Sequence, residues 1–170
     1  MPESKFNPQQ AVELYQAFQR HGVDYLFLDN SGAILLGYPA TTQDVDLFVP
    51  KSAENGRKIV AALQDLGFSI DASLADAIIS GKDFVQIKSG PFDVDLVHAA
   101  DGIESYVEAK KRSVVHDDFP VTALSDIIAS KRASGREKDL LDLPLLEEFR
   151  VEYERRYPRA LKSRRDIINS

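Results

Sequence analysis

The most constraining feature of this chain is a four-residue string that occurs twice. Asp44-Val45-Asp46-Leu47 and Asp93-Val94-Asp95-Leu96 are identical, and each lies in an apolar, strand-like run. Because residues two apart in a strand face the same side, each string directs its carboxylates one way and its apolar side chains the other. If the two strands are neighbours, three or four carboxylates converge on one face of a sheet.

Converging carboxylates repel one another and normally need a cation or solvent. Magnesium prefers oxygen ligands from one or two carboxylates and shares substrate phosphates, and a pair of such ions can support an in-line displacement. The alternative interpretation is an exposed sheet face that is simply acidic. That alternative suits a single Asp-x-Asp, whereas the duplicated string favours a metal site.

The remaining pattern predicts helices that alternate with few strands. We expect helices over 8–21, 31–36, 52–66, 103–111, 125–134 and 138–157, the last broken around Pro144, and strands over 23–28, 44–49, 84–88 and 92–98. Ser52 and Ser125 are expected helix N-caps. The chain is therefore predicted to have an α/β (α+β) fold, with a small mixed sheet flanked by helices and a helical C-terminal segment.

A phosphate-binding element is expected just before the first acidic string. The strand over 23–28 leads into Asp29-Asn30-Ser31-Gly32 and a short helix, and a helix N-terminus favours phosphate. Ser31 is a candidate both for capping this helix and for touching a phosphate oxygen. Capping alone would also explain a serine there.

Two stretches of the chain resemble nucleotidyltransferases of the DNA polymerase β superfamily. Leu28–Val49, with its short helix, Gly37, Thr42 and Asp-hydrophobic-Asp strand, looks like the signature of that superfamily. Residues 127–143, IIASKRASGREKDLLDL, are similar to the helical segment of small bacterial members related to abortive-infection toxins. The resemblance covers roughly residues 23–149 and implies a polymerase-β-like nucleotidyltransferase fold.

The resemblance also implies roles for individual residues. Asp44 and Asp46 would bind Mg²⁺ (or Mn²⁺), and Asp95 would join them and help to deprotonate the acceptor hydroxyl. The implied nucleotide-binding residues are Asn30, Ser31, Gly32, Thr42, Lys131 and Arg136. An alternative for the two cations is a solvated helix, in which Arg136 merely pairs with Asp139 at i,i+3.

The chain departs from the superfamily pattern at two places. A gap-free alignment puts Asp29-Asn30 where the superfamily has a Gly-Gly pair, and Ser31-Gly32 matches only if the register slips. Ala40 stands where many relatives carry Arg. An Asp near the triphosphate would repel it, so both departures suggest a weakened phosphate site.

These observations predict a metal-dependent enzyme that moves a nucleotidyl group from an NTP, for which ATP is the expected example, to a hydroxyl. The acceptor stays open between RNA, a protein side chain and a small hydroxylated compound. The alternative is a catalytically weakened relative that binds nucleotide or a partner. A third possibility is a nucleic-acid-binding module that uses its basic tail.

Composition sets the outer limits of these expectations. The chain has no cysteine, which excludes disulfides and thiolate metal sites, and no apolar run long enough to span a bilayer, so we expect a cytoplasmic protein. Residues 150–170 carry seven basic and three acidic side chains. We therefore predict a nucleotidyltransferase-like domain over 1–149 and a basic helical tail over 150–170, for which a solvated helix is the simpler interpretation.

Overall fold

The computed structural model describes residues 6–158, in which helices are interleaved with short strands. The helices are α1 (Pro8–His21), α2 (Asp29–Leu35), α3 (Ala53–Asp65), α4 (Ala72–Ser80), α5 (Tyr106–Arg112), α6 (Leu124–Ser134) and α7 (Glu137–Arg156). The strands are β1 (Leu26–Leu28), β2 (Asp44–Phe48), β3 (Phe84–Ile87), β4 (Asp93–Val97), β5 (Val114–His116) and β6 (Phe119–Val121). The predicted α/β class is confirmed.

All six strands form one mixed sheet in the order β3-β4-β2-β1-β6-β5. The two strands that carry the duplicated string, β2 and β4, are parallel neighbours. The strands expected over 84–88 and 92–98 are present as β3 and β4, which form an antiparallel pair, and β1 runs antiparallel to β2. The two acidic strings therefore lie side by side near the centre of the sheet.

Each face of the sheet has its own environment, as the alternation of residues predicts. Val45, Leu47, Val94 and Leu96 enter the main apolar core, which also contains buried side chains of α1, α3 and α6. The opposite face carries a small cluster that packs with α5 and contains Leu26, Leu28, Phe48, Ile103 and Ala109. The acidic residues share this second face, so they are anchored by a core that lies behind them.

Several predicted helix ends are confirmed by local hydrogen bonding. Asn7 caps α1 by accepting a hydrogen bond from the backbone N–H of Gln10, and Ser52 caps α3 in the same way. Gly22 and Gly135 end α1 and α6 with left-handed backbone angles, which glycine adopts at little cost. Ser125 is not a cap, because α6 begins at Leu124 and its N-cap position is Ala123.

The break predicted around Pro144 is wrong, because α7 is one continuous helix of 20 residues that contains this proline. A proline inside a helix removes its own N–H donor and crowds the carbonyl four residues earlier, but buried neighbours can compensate. Leu146 and Tyr153 anchor this part of α7 in the core. The helix also crosses the predicted domain boundary at 149/150, and the rest of the basic tail, 159–170, lies outside the described residues.

Three elements were not predicted: α4, β5 and β6. The β5–β6 turn is made by Asp117 and Asp118, which both have positive φ, and β6 contains Pro120. Such three-residue strands leave almost no periodic signal in a sequence. In the part of the chain that the structure describes, no helix is long and apolar enough to cross a membrane.

Candidate active site

The strand register brings the acidic side chains together. Asp46 on β2 pairs with Asp95 on β4, and Asp44 pairs with Asp93 two residues earlier on each strand. Asp44, Asp46 and Asp95 line one cavity of about 760 Å³, whereas Asp93 does not line it. The cavity thus gathers the three acids to which the resemblance assigns metal binding.

The environment of these acids disfavours three negative charges. Burial, followed by the charges of Asp29, Asp95 and Asp44, raises the pKa of Asp46 well above its usual range. Burial and the charge of Asp44 also raise the pKa of Asp95 to about 6. Both shifts favour the protonated, neutral forms of these carboxyls when no cation is bound.

Two cations line the same cavity, and both are held by an acid on α7. The buried ammonium of Lys131 lies 3.4 Å from Asp139 and 3.6 Å from Asp142, and Arg136 donates to Asp139 at 2.7 Å. Burial raises the pKa of Asp139, but hydrogen bonds from Ser134 and Arg136 outweigh it and leave that pKa below its ordinary value. Asp139 is therefore an ionised anchor that orients the cations.

The side chain of Arg136 is 74% exposed, although its Asp139 partner is buried. The i,i+3 pair expected from the sequence is present, and it lies at the edge of the cavity rather than on a remote surface. Ser134, which also lines the cavity, was not singled out from the sequence. Its spacing to Arg136 and Asp139 gave no signal, because the turn at Gly135 separates them.

Helix α2 begins at Asp29, two residues before the predicted start, and Ser31 is not its cap. Ser31 is fully buried; its hydroxyl donates to the carbonyl of Leu28 at 2.9 Å and accepts from the N–H of Asp46 at 3.0 Å. This serine ties α2 to β2, the strand that carries Asp44 and Asp46. The predicted contact of Ser31 with phosphate stays a prediction, and its hydroxyl is already engaged.

Gly32 also has a packing role. A Cβ added there would lie 3.0 Å from the carbonyl oxygen of Phe27 and 3.2 Å from Val121, so the glycine lets α2 approach β1 and β6 closely. Neither Ser31 nor Gly32 lines the cavity, and neither does Thr42. The hydroxyl of Thr42 donates to the carbonyl of Asp44 at 3.2 Å, so it supports the strand that carries the acids.

Asp29 is the residue at which this site differs most from expectation. It has a φ of 52°, a conformation that favours glycine, and it lines the cavity directly after β1. This backbone supports the gap-free alignment, in which Asp29-Asn30 replaces a Gly-Gly pair that opens the helix. One side-chain oxygen of Asp29 and the amide oxygen of Asn30 are buried without a hydrogen-bond partner among residues 6–158.

The other candidate groups have ordinary surroundings. The Nδ1–H of His98 donates a hydrogen bond to the carbonyl of Lys82 at 2.6 Å, and His98 does not line the acidic cavity. In the basic tail, Arg150 pairs with Glu154 and Arg155 pairs with Glu152. The described part of that tail therefore resembles a solvated helix face.

The donor set of the cavity suits a hard divalent cation. Asp44, Asp46 and Asp95 offer carboxylate oxygens, and Asp29 lines the same cavity. Carboxylate oxygens are the ligands that Mg²⁺ and Mn²⁺ prefer, so the residue types fit such an ion. As they lie, however, no three His, Cys, Asp or Glu side chains among residues 6–158 form a cluster that could hold a metal ion, so binding one would require these side chains to move closer together and further oxygens from phosphate or water.

Two solved structures are similar to this fold. The lincosamide antibiotic adenylyltransferase LnuA with bound lincomycin aligns with a TM-score of 0.59 and 14% identity, over 85% of this chain and 98% of that one. The antibiotic-resistance factor ANT(2'')-Ia aligns with a TM-score of 0.56 and 17% identity, over 90% of this chain and 95% of that one. No protein-family profile and no curated protein sequence matches the chain.

One of these proteins is named as an adenylyltransferase and the other as an antibiotic-resistance factor. The chain therefore shares the fold of an adenylyltransferase, which agrees with the nucleotidyltransferase fold that the resemblance implied. At these levels of identity the likeness establishes the fold. The suggested relation to abortive-infection toxins stays a prediction.

Proposed function

We propose that this protein is a metal-dependent nucleotidyltransferase that moves a nucleotidyl group from an NTP to a hydroxyl. One observation carries the proposal: the three aspartates of the duplicated strings and the two cations Lys131 and Arg136 line a single cavity. Carboxylates can hold the metal while the cations face phosphate oxygens. When bound to Asp44, Asp46 and Asp95, Mg²⁺ or Mn²⁺ would stabilise the attacking and leaving oxygens.

In the proposed reaction the acceptor oxygen attacks the α-phosphorus and forms a new P–O bond. The bond from the α-phosphorus to the bridging oxygen breaks, and pyrophosphate leaves with that electron pair. The hydroxyl proton passes to Asp95.

Lys131 and Arg136 are proposed to contact the phosphates. Lys131 is fixed by its two acidic partners, so it is preorganised, whereas the exposed Arg136 has freedom to move onto a ligand. Asn30 does not line the cavity, and its nucleotide contact stays a prediction from the sequence.

The proposed acceptor is a small hydroxylated compound. The cavity lining contains far more acidic than basic side chains: Asp29, Asp44, Asp46, Asp83, Asp95, Asp101 and Asp139 against Lys131 and Arg136. Such a lining repels a polyanionic acceptor such as RNA more than a neutral or cationic one. The names of the two similar structures point the same way, since one is an antibiotic adenylyltransferase and the other an antibiotic-resistance factor.

A second candidate function is a binding module without catalytic activity. The position of Asp29 favours this candidate. Its carboxylate lines the cavity together with Lys131 and Arg136, the two cations that would bind phosphate, and it interacts with both of them. In this alternative, the extra negative charge and Ala40 weaken triphosphate binding so far that no transfer occurs.

Labelling distinguishes the two candidates. Purified protein is incubated with each α-³²P-labelled NTP, Mg²⁺ or Mn²⁺ and, in separate reactions, a lincosamide, an aminoglycoside, RNA or cell extract. Transfer of label to a small molecule, lost in Asp44→Asn, supports the proposal. Label on RNA or protein overturns the proposed acceptor but keeps the transferase. No label transfer, together with no measurable NTP binding, overturns the transferase.

A further inference from the structure

One aromatic ring stands uncovered at the edge of the acidic sheet face. Phe84 begins β3, the edge strand that pairs with β4, and it is 54% exposed. Its neighbours Val85 and Ile87 enter the main core, so strand alternation directs Phe84 to the face that carries the acids. Phe84 also lines the cavity that contains the three aspartates of the proposed metal site. A ligand in that cavity can therefore remove this ring from water.

The strand register explains why Phe84 stays uncovered. It pairs with Val97 on β4, and the same apolar row continues through Phe48 on β2 to Leu26 on β1. Residues of α5 pack on this row, and Tyr106 meets the ring of Phe48 edge-on. Leu26 and Phe48 are consequently no more than 1% exposed. The cover does not reach the end of the row, where Phe84 borders the cavity.

The next row of the sheet carries the acids and has two different sides. Asp95 lies between Gln86 on β3 and Asp46 on β2, so the proposed base is the cavity acid closest to the edge strand. The two cations of the cavity act instead on Asp29, the residue directly after β1, which lies beyond Asp46. The cations proposed to hold phosphate and the ring of Phe84 therefore stand on opposite sides of the acids.

An in-line displacement assigns these two sides to different substrates. The acceptor oxygen and the leaving pyrophosphate stand on opposite sides of the α-phosphorus. If Lys131 and Arg136 hold the pyrophosphate portion, the acceptor approaches from the side of Asp95 and β3. Val97, the partner of Phe84, lies two residues from Asp95 on β4, roughly 7 Å along the strand. A ring that covers Phe84 can thus present a hydroxyl at Asp95.

We infer that Phe84 is the platform for the acceptor, and that the acceptor is a hydroxylated ring compound with one apolar side, such as a sugar derivative. The apolar side packs on the phenyl ring, and a hydroxyl on its rim faces Asp95. The inference rests on the proposed function and adds a residue that selects the acceptor. It also separates Phe84 from nucleotide binding.

The first test uses the absence of tryptophan from the chain. Phe84→Trp keeps an aromatic platform and introduces a single indole, whose emission shifts to the blue when a ligand excludes water from it. Lincomycin or kanamycin, added with Mg²⁺ and a non-hydrolysable ATP analogue, should give a saturable blue shift. The ATP analogue and Mg²⁺ alone should leave the emission unchanged. Val115→Trp is the matched control, because Val115 is 71% exposed on β5, at the opposite edge of the sheet.

Transfer kinetics give a second readout with the same two compounds. Phe84→Ala should raise the KM for the compound that accepts label about 5- to 20-fold, because stacking on an aromatic ring is lost. The KM for NTP should stay within about threefold, and Phe84→Tyr should restore the acceptor KM. Val115→Ala should change neither value. An equal rise of both KM values in Phe84→Ala indicates a structural role and overturns the inference.

The outcomes separate this inference from the proposed function. A blue shift of Phe84→Trp with the ATP analogue alone assigns the ring to the nucleotide and overturns the acceptor platform. Label transfer that is unaffected in Phe84→Ala also overturns it and leaves the transferase intact. No saturable shift with either compound overturns it as well. A saturable shift that is absent in Val115→Trp supports the platform even if no label is transferred, in which case the proposed reaction fails and the binding site stands.

Discussion

Asp46 and Asp95 stand directly opposite each other on the parallel strands β2 and β4, and the charge of Asp95 helps to raise the pKa of Asp46. Two acids placed in this way destabilise the protein when both are ionised, unless a cation lies near them. This relationship connects the repeated string in the sequence with the proposed chemistry. It also leads to predictions that separate catalytic from structural roles.

Asp46→Asn should abolish nucleotidyl transfer. Loss of a metal ligand removes several kcal/mol of transition-state stabilisation, so the rate should fall by at least about 100-fold. The matched control is Asp93→Asn, because Asp93 belongs to the same repeated string but does not line the cavity. The measurement is label transfer from α-³²P NTP. Equal rates in Asp46→Asn and the native protein would exclude the proposed mechanism.

Removal of the Asp95 carboxylate should change how stability depends on pH. Folding raises the pKa of Asp95 from 3.8 to about 6, so the folded state holds a proton that the unfolded state loses. The stability contributed by this proton is present below about pH 4 and is lost as pH rises through about 6. At pH 7.5 without metal, Asp95→Asn should therefore be more stable than the native protein, by about 1–3 kcal/mol.

Urea unfolding in EDTA at pH 4 and pH 7.5 measures this difference. The gain of Asp95→Asn should be large at the higher pH and near zero at the lower one. Saturating Mn²⁺ should reverse the order at pH 7.5, because the cation stabilises only the ionised native site. A gain of the same size at both pH values would contradict the assignment.

Arg136→Gln should weaken NTP binding without unfolding the protein. Its side chain is largely exposed, and Ser134 and Lys131 still hold the buried Asp139 when Arg136 is replaced, so the protein should stay folded. A charge-assisted contact with phosphate is worth about 1.5–3 kcal/mol. We expect NTP affinity to fall roughly 10- to 100-fold. Arg132→Gln is the control, because Arg132 is also an exposed arginine but pairs with Glu147 outside the cavity. The measurement is NTP affinity by calorimetry with a non-hydrolysable NTP in the presence of Mg²⁺. Similar affinities in the two variants would contradict a contact between Arg136 and phosphate.

Ser31→Ala should act mainly on stability. The buried hydroxyl bridges Leu28 and Asp46, and its removal leaves the N–H of Asp46 without this acceptor, at a cost of about 1–3 kcal/mol. Thermal unfolding measures that loss. NTP affinity of the folded variant should stay within about threefold of the native value. A normal melting temperature with a large loss of NTP affinity would instead support the contact of Ser31 with phosphate.

The sequence alone was sufficient for the acidic half of the site. Alternation in a strand is local, so the identical strings predict which side chains of β2 and β4 share a face before any packing is known. Their apolar partners predict the core behind them for the same reason. The N-termini of α1 and α3 could also be predicted, because Asn7 and Ser52 cap them by accepting hydrogen bonds from backbone N–H groups only three residues away.

Tertiary structure decided everything that depends on distant partners. The burial of Lys131 follows from the packing of α6 on α7, and Pro144 is tolerated because α7 is anchored by buried residues beyond it. The engagement of Ser31 needs β2, which is 15 residues away along the chain. The unpartnered oxygen of Asp29 is the clearest case. Its sequence context shows only an acid in a glycine's place, whereas the fold sets that acid directly after the residue that pairs with Asp46 and leaves one of its oxygens without a hydrogen-bond partner among residues 6–158.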